Sequence, residues 1–110
     1  MNIQIFGKKK SFDTKKAERW FKERRIKYQF VDLDQYGMSR RELESVRAAV
    51  GLEAMIDETD RDYPMIAYLA SNEAKLEKLF EEPWLLRAPI VRNGKQATAG
   101  YCPEIWSTWQ

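Results

Sequence analysis

Residues 2–33, NIQIFGKKKSFDTKKAERWFKERRIKYQFVDL, decide the fold of this chain. Apolar and polar side chains alternate over Ile3–Phe6 and again over Tyr28–Leu33, which is typical of β-strands. The residues between them place Trp20 and Phe21 on one face of a helix. A strand, a helix and a second strand form a right-handed crossover in nearly all proteins, so we expect the two strands to be parallel.

Capping and turn residues mark the ends of the other elements. Asp13 or Thr14 is the expected N-cap of the first helix. The sequence SRRE at residues 39–42 is a capping box that predicts the start of a second helix. Ser71 begins a later helix, and Asn93-Gly94 predicts a hairpin between the last two strands.

Length and composition limit the chemistry that is available. A chain of 110 residues has the size of one domain, so we assign residues 1–110 to a single domain. The absence of histidine removes histidine nucleophile pairs, histidine bases and histidine metal sites. The one cysteine, Cys102, cannot close an internal disulfide, form a C-x-x-C centre or hold a thiolate cluster. We therefore expect neither a metal nor a bound cofactor.

The apolar runs are too short for a membrane-spanning helix, which needs about 18 residues or more. Residues 1–4 lead directly into the first predicted strand and show no signal-peptide pattern. We therefore expect a cytoplasmic protein with no membrane segment, and a monomer.

Charge is distributed unevenly along the chain. Residues 1–50 carry 13 Lys and Arg against 7 Asp and Glu, a balance of +6, whereas residues 51–110 carry 6 against 10, a balance of −4. Ten of the basic residues fall within residues 8–27. This segment is either a solvated helix face or a surface for an anion or a nucleic acid, so direct nucleic-acid binding stays open.

Two stretches together resemble one known family. Residues 7–17, GKKKSFDTKKA, resemble the loop and helix start of the arsenate reductase (ArsC) and Spx-like family. Residues 85–91, LLRAPIV, with Gly94-Lys95 and Gly100-Tyr101 after them, are similar to the same family's later strands and hairpin. The resemblance implies a thioredoxin-like α/β fold. In that fold a mixed four-stranded sheet is built as βαβ then ββα, with a helical region inserted at residues 36–86.

The resemblance also implies where a site would lie. It places a cis peptide bond before Pro89 and brings Ser11, Ala88-Pro89 and Tyr101-Cys102 to one edge of the sheet. The amino end of the first helix would point to that edge and offer free N–H groups to an anion. The candidate anion-binding side chains are Lys8, Lys9, Lys10, Lys15 and Arg87.

The residues that carry the family's chemistry are replaced in this chain. The family's reactive cysteine position is Ser11, and the second position of the thiol pair is Thr14. A serine hydroxyl is not ionised near pH 7, and the chain has no histidine to act as its base. The arginine clamp of the reductases is missing, because its positions fall on Ala88, near Thr59 and near Tyr101.

Ser11 and Cys102 each have more than one interpretation. Ser11 is a natural replacement in a redox-inactive homologue, a cysteine changed for crystallisation, or a position misaligned by one residue. Cys102 is either a small half-buried residue at a strand end or a relocated thiol whose ionisation Lys8, Lys9 and Lys10 would favour.

Two classes of function follow from these alternatives. The first is a redox-inactive, regulatory or binding homologue, whose partner is RNA polymerase, another protein, or a small oxyanion or thiol. The second is an oxidoreductase of the arsenate reductase class, which would act through Cys102 or through a cysteine replaced at Ser11. Glutathione or glutaredoxin would then be its co-substrate.

Overall fold

A computed structural model describes residues 1–109 of the protein. The strands in that range are β1 (Ile3–Gly7), β2 (Tyr28–Asp32), β3 (Ile90–Asn93) and β4 (Gln96–Ala99). The helices are α1 (Phe12–Glu23), α2 (Arg40–Val50), α3 (Pro64–Ala67), α4 (Asn72–Glu81) and α5 (Pro103–Trp106). Short 3₁₀ turns cover Glu53–Met55 and Pro83–Leu85. The predicted domain end at residue 110 lies outside the described residues.

Over residues 1–109 the strands form a four-stranded sheet in the order β2-β1-β3-β4. β1 and β2 are parallel, with Ile3 opposite Tyr28. β3 runs antiparallel to both β1 and β4. The predicted α/β fold with a mixed sheet, βαβ followed by ββα, is therefore confirmed. The predicted hairpin between β3 and β4 is present, but its turn is shifted by one residue. Asn93 pairs with Gln96, so Gly94 and Lys95 form the turn, and Gly94 has a φ of 61°.

The alternation of β1 divides the hydrophobic core between the two faces of the sheet. Ile3 and Ile5 face α1 and α5 and pack in a cluster with Phe21 and Trp106. Phe6 faces the opposite way, into a larger cluster formed with α2, α3 and α4. Because successive strand residues point to opposite faces, one short strand contributes to both clusters.

The helices between β2 and β3 cover the second face of the sheet. The predicted capping box is present, since Ser39 accepts from the backbone N–H of Glu42 and Glu42 accepts from that of Ser39. Arg40 pairs with Glu77 and thereby joins α2 to α4. α3 was not predicted from the sequence. No helix within residues 1–109 has the length and apolar character needed to cross a membrane.

The loop after α2 is joined by backbone hydrogen bonds to the segment that precedes β3. The N–H of Asp57 donates to the Leu85 carbonyl, and the N–H of Arg87 donates to the Met55 carbonyl, both at 2.8 Å. These bonds hold Asp57 and its neighbours beside the start of β3.

The N-cap of α1 is Ser11, and the expectation that Asp13 or Thr14 caps this helix is wrong. Ser11 Oγ accepts from the backbone N–H of Thr14 at 3.1 Å, so the helix begins at Phe12. Thr14 is 1% exposed and lies under the backbone of Gly7. Asp13 falls in the first turn, where its charge favours the positive end of the helix dipole.

We predict that Gly7→Ala destabilises the protein by about 1–3 kcal/mol through overpacking. A Cβ at residue 7 would collide with Thr14 Cγ2 and lie 3.0 Å from Phe30 Cε1. The matched control is Gly37→Ala, where the nearest side-chain atom would be at an ordinary 3.5 Å. Urea denaturation of both variants measures the difference. An equal free energy of unfolding for the two variants would show that the close contact at Gly7 is unimportant.

Candidate functional site

A cleft of about 430 Å³ opens where the amino end of α1 meets the segment before β3. Its lining residues are Lys8, Lys10, Ser11, Asp13, Asp57, Thr59, Arg87 and Ala88. Three separate parts of the chain contribute to it: the β1–α1 loop, the loop after α2, and the residues before β3. The cleft therefore brings together Ser11 and Ala88, which the sequence analysis placed at one edge of the sheet.

The side-chain oxygens of Ser11 and Thr14 both accept backbone hydrogen bonds at the β1–α1 corner. Ser11 Oγ accepts from Thr14 N–H at 3.1 Å, and Thr14 Oγ1 accepts from Lys8 N–H at 3.3 Å. Thr14 is buried, whereas Ser11 is partly exposed and reaches the cleft. Both residues thus have a structural role in the corner.

Lys8 and Asp57 form an ion pair inside the cleft. The Lys8 Nζ lies 3.0 Å from Asp57 Oδ2. Thr59 donates to Asp57 Oδ1 from its N–H at 3.0 Å and from its hydroxyl at 2.6 Å. Burial alone would raise the pKa of Asp57, but the hydrogen bonds from Thr59 and Lys8 outweigh it and hold the pKa below its usual value. The charge of Lys8 is therefore already balanced within the protein.

Lys10 and Arg87 are the remaining cations of the cleft, and neither forms an ion pair with another residue of the described chain. Arg87 packs beside Gly100, where a Cβ would lie 2.9 Å from Arg87 Nη2. Gly100 also has a φ of 89°, so its backbone conformation and the neighbouring guanidinium both favour glycine. The Arg87 guanidinium therefore packs against the backbone of Gly100, directly after β4.

The other two candidate anion-binding lysines lie elsewhere. Lys9 is directed towards Asp32, with 3.9 Å between Nζ and Oδ2. Lys15 is on the outer face of α1, where its Nζ lies 5.8 Å from the centre of the Phe12 ring. Neither side chain lines the cleft.

The peptide bond between Ala88 and Pro89 is cis. The Pro89 carbonyl accepts from the N–H of Gly100 at 2.8 Å, which places the end of β4 next to it. Tyr101, which follows Gly100, does not line the cleft. The Tyr101 ring packs edge-on against Trp106, with 5.5 Å between the ring centres.

Cys102 does not line the cleft. Its Sγ lies 3.5 Å from the Ala99 carbonyl, and the residue packs against the cluster of α1 and α5. Burial first, and then the nearby Glu104, raise the pKa of the Cys102 thiol, and Arg87 only partly opposes this. The local environment therefore favours the neutral thiol over the thiolate.

Asp13 and Asp57 belong to the cleft, but no sequence pattern marked them as site residues. Thr59 and Ala88 also line it, and the resemblance placed arginine-clamp positions at Ala88 and near Thr59. Asp57 is 49 positions from Lys8, and no local pattern indicates that they meet. The acidic side chains also form no metal site, because residues 1–109 contain no group of three or more His, Cys, Asp and Glu able to hold an ion.

We predict that Asp57→Asn lowers the free energy of unfolding by about 1 kcal/mol at pH 7. A carboxyl whose pKa is depressed by folding stabilises the protein above its unfolded pKa of about 4, and this contribution is lost as the pH falls through the folded pKa. The difference from the wild type should therefore shrink below about pH 4. Asp34→Asn is the control, because Asp34 is exposed and forms no ion pair with residues 1–109. A difference that is constant with pH would contradict the role given to the carboxylate.

We also predict that iodoacetamide alkylates Cys102 with a midpoint above pH 8.5 or so, the value of an unperturbed cysteine. The raised pKa of the folded protein is the reason. Alkylation of the urea-unfolded chain provides the reference and should return to the ordinary value. A midpoint below about pH 7 would identify Cys102 as an activated thiol instead.

The sequence matches no protein-family model and no curated protein. Solved structures, in contrast, are similar over nearly the whole chain. Arsenate reductase from Vibrio cholerae superposes with a TM-score of 0.81 at 23% identity, covering 96% of this chain and 94% of that one. A protein from Bacteroides fragilis described as ArsC family related gives 0.85 at 18% identity, with 97% of each chain covered. An arsenate reductase (ArsC) related protein from Brucella melitensis gives 0.69 at 18%, covering 99% of this chain and 94% of that one.

These similarities confirm the fold that the sequence resemblance implied. Their sequence identities lie between 18% and 23%, so the likeness is one of fold. The chain has the thioredoxin-like fold of the ArsC-related structures.

Proposed function

We propose that this protein is a member of the ArsC and Spx-like family that binds an anionic ligand or partner in its cleft and carries out no thiol chemistry. The main support is Ser11, which the resemblance places at the family's cysteine position and which serves as the N-cap of α1. Its hydroxyl oxygen accepts from Thr14 N–H, and the sequence has no histidine that could act as a base for it.

The other routes to a nucleophile are also unfavourable. Cys102 lies outside the cleft, and its pKa is raised rather than lowered. The sequence has no histidine that could act as a general base. A thiol-dependent reductase needs a thiolate at the site, because the thiolate is the attacking species.

The cleft is better suited to binding. Lys10 and Arg87 are its free cations within the described chain, and Ser11 and Asp13 at the amino end of α1 also line it. The amino end of a helix carries N–H groups without intrahelical partners and a partial positive charge, which favour an anion. Asp13 offsets part of this charge, whereas Asp57 is already paired with Lys8, so the cleft favours a ligand of low charge. A small oxyanion or an acidic side chain of a protein partner fits this description. The resemblance to Spx-like proteins supports the protein partner, RNA polymerase being the example that the family offers.

The proposal predicts that the wild-type protein does not reduce arsenate or a disulfide with glutathione and glutaredoxin. The decisive variant is Ser11→Cys in a Cys102→Ser background. A cysteine at residue 11 would sit at a helix amino end beside Lys10 and Arg87, so its thiol pKa should fall below about 8.5 and it should form a mixed disulfide with glutathione.

The matched control is Ser71→Cys in the same background. Ser71 is the N-cap of α4 and accepts from Ala74 N–H at 3.1 Å. A cysteine at this position would therefore also lie at a helix amino end, but outside the cleft. Its thiol should react more slowly than that at residue 11. Reductase activity of the wild type that disappears in Cys102→Ser would overturn the proposal and establish the alternative, an oxidoreductase working through Cys102.

A further inference from the structure

The outer face of α1 carries a row of cations that is separate from the cleft. Lys15, Arg19 and Lys22 follow one another at helical spacing and are exposed. At 1.5 Å per residue the row extends for about 10 Å. None of the three forms an ion pair with any residue between 1 and 109.

A shallow groove of about 320 Å³ runs along this row. Two carboxylates, Glu18 and Glu23, also line it. The Glu18 carboxylate accepts a hydrogen bond from the Tyr28 hydroxyl at 2.8 Å. The groove carries three cations against two carboxylates, and it lies within residues 8–27, where ten Lys and Arg outnumber three Asp and Glu. A helix face with a net positive charge along its length suits a linear polyanion better than a single small anion.

One exposed aromatic ring, that of Phe12, lies at the amino end of the row, and a second, that of Tyr101, lies beside the neighbouring Lys16. Phe12 is 78% exposed and Tyr101 is 38% exposed. Each ring has a lysine beside it: the Nζ of Lys15 is 5.8 Å from the Phe12 ring centre, and that of Lys16 is 5.8 Å from the Tyr101 ring centre. An aromatic residue at the first position of a helix and this far from the core contributes little to folding, so its ring is available to a ligand.

We propose that the outer face of α1 binds single-stranded nucleic acid. Lys15, Arg19 and Lys22 contact successive phosphates, and an unpaired base stacks on Phe12. Interleaved cations and exposed rings are what single strands require, because every base has a stacking face and every nucleotide a phosphate. A duplex would leave the rings unused. An acidic polypeptide would match the cations but offer nothing that specifically stacks on Phe12.

The experiment measures fluorescence anisotropy of a labelled oligodeoxythymidylate over a series of salt concentrations. Its main variant is Lys15→Glu/Arg19→Glu/Lys22→Glu. We expect this variant to bind the oligonucleotide about tenfold more weakly, or worse, at low salt. The plot of log K against log salt concentration should also become shallower by about 2, since each single-strand phosphate contact contributes about 0.7. Phe12→Ala should weaken binding by roughly tenfold and leave the slope unchanged.

The matched control is Arg41→Glu/Lys75→Glu/Lys95→Glu, which changes the net charge equally at positions away from α1. This control should bind nearly as tightly as the wild type. Circular dichroism checks that every variant is folded.

Three results would overturn the proposal. The first is that the wild-type protein does not bind the oligodeoxythymidylate. The second is that both triple variants lose the same amount of affinity for it. The third is that Phe12→Ala keeps full affinity and that polyglutamate competes for the protein as effectively as the unlabelled oligonucleotide does. The last result would assign the face to an acidic protein instead. None of these results depends on whether the cleft has reductase activity.

Discussion

The close approach of Thr14 to Gly7 fixes the corner between β1 and α1, and the cleft depends on that corner. The Thr14 methyl fills the space that a side chain at Gly7 would need. Its hydroxyl accepts the Lys8 N–H, and its own N–H is capped by Ser11. One buried threonine therefore ends the strand, orients the loop and starts the helix. The directions of Lys8, Lys10 and the first N–H groups of α1 all follow from it.

The same corner explains why capping and thiol chemistry are competing uses of residue 11. A hydroxyl oxygen is a good acceptor for a helix N–H, whereas sulfur is a weak one. The positive end of the helix lowers the pKa of a thiol and so favours the reactive thiolate, whereas a hydroxyl stays un-ionised there. Under the function proposed above, serine at this position favours the stability of the corner, and the cleft retains its cations without a nucleophile.

Local patterns were sufficient to predict most of the fold. Alternation over Ile3–Phe6 and Tyr28–Leu33 indicated the parallel pair, and the observed strands differ by one residue at their ends. The capping box at Ser39 and the hairpin between β3 and β4 were predicted correctly because each involves residues that are close in sequence. The turn itself is Gly94-Lys95 rather than Asn93-Gly94. The cap of α1 was predicted wrongly, since Ser11, Asp13 and Thr14 all have capping side chains. Only the burial of Thr14 under Gly7 selects among them.

The cleft was less accessible to sequence reasoning. Asp57 meets Lys8 only because backbone bonds join the loop after α2 to residues 85–87, and this pairing has no local signature. Lys9 and Lys15 belong to the same basic segment as Lys10, yet they point elsewhere, because helical and loop geometry separate neighbouring side chains. Composition could indicate a basic region but not which of its members share a cavity.

The division of the core by β1 has a consequence for how the protein can change. Ile5 and Phe6 are adjacent in sequence but lie in clusters on opposite faces of the sheet. Side chains on opposite faces share backbone but few direct contacts, and the effects of distant, unconnected substitutions on stability are generally additive. Substitutions in the aromatic cluster and substitutions among the inserted helices should therefore change the free energy of unfolding nearly independently of each other.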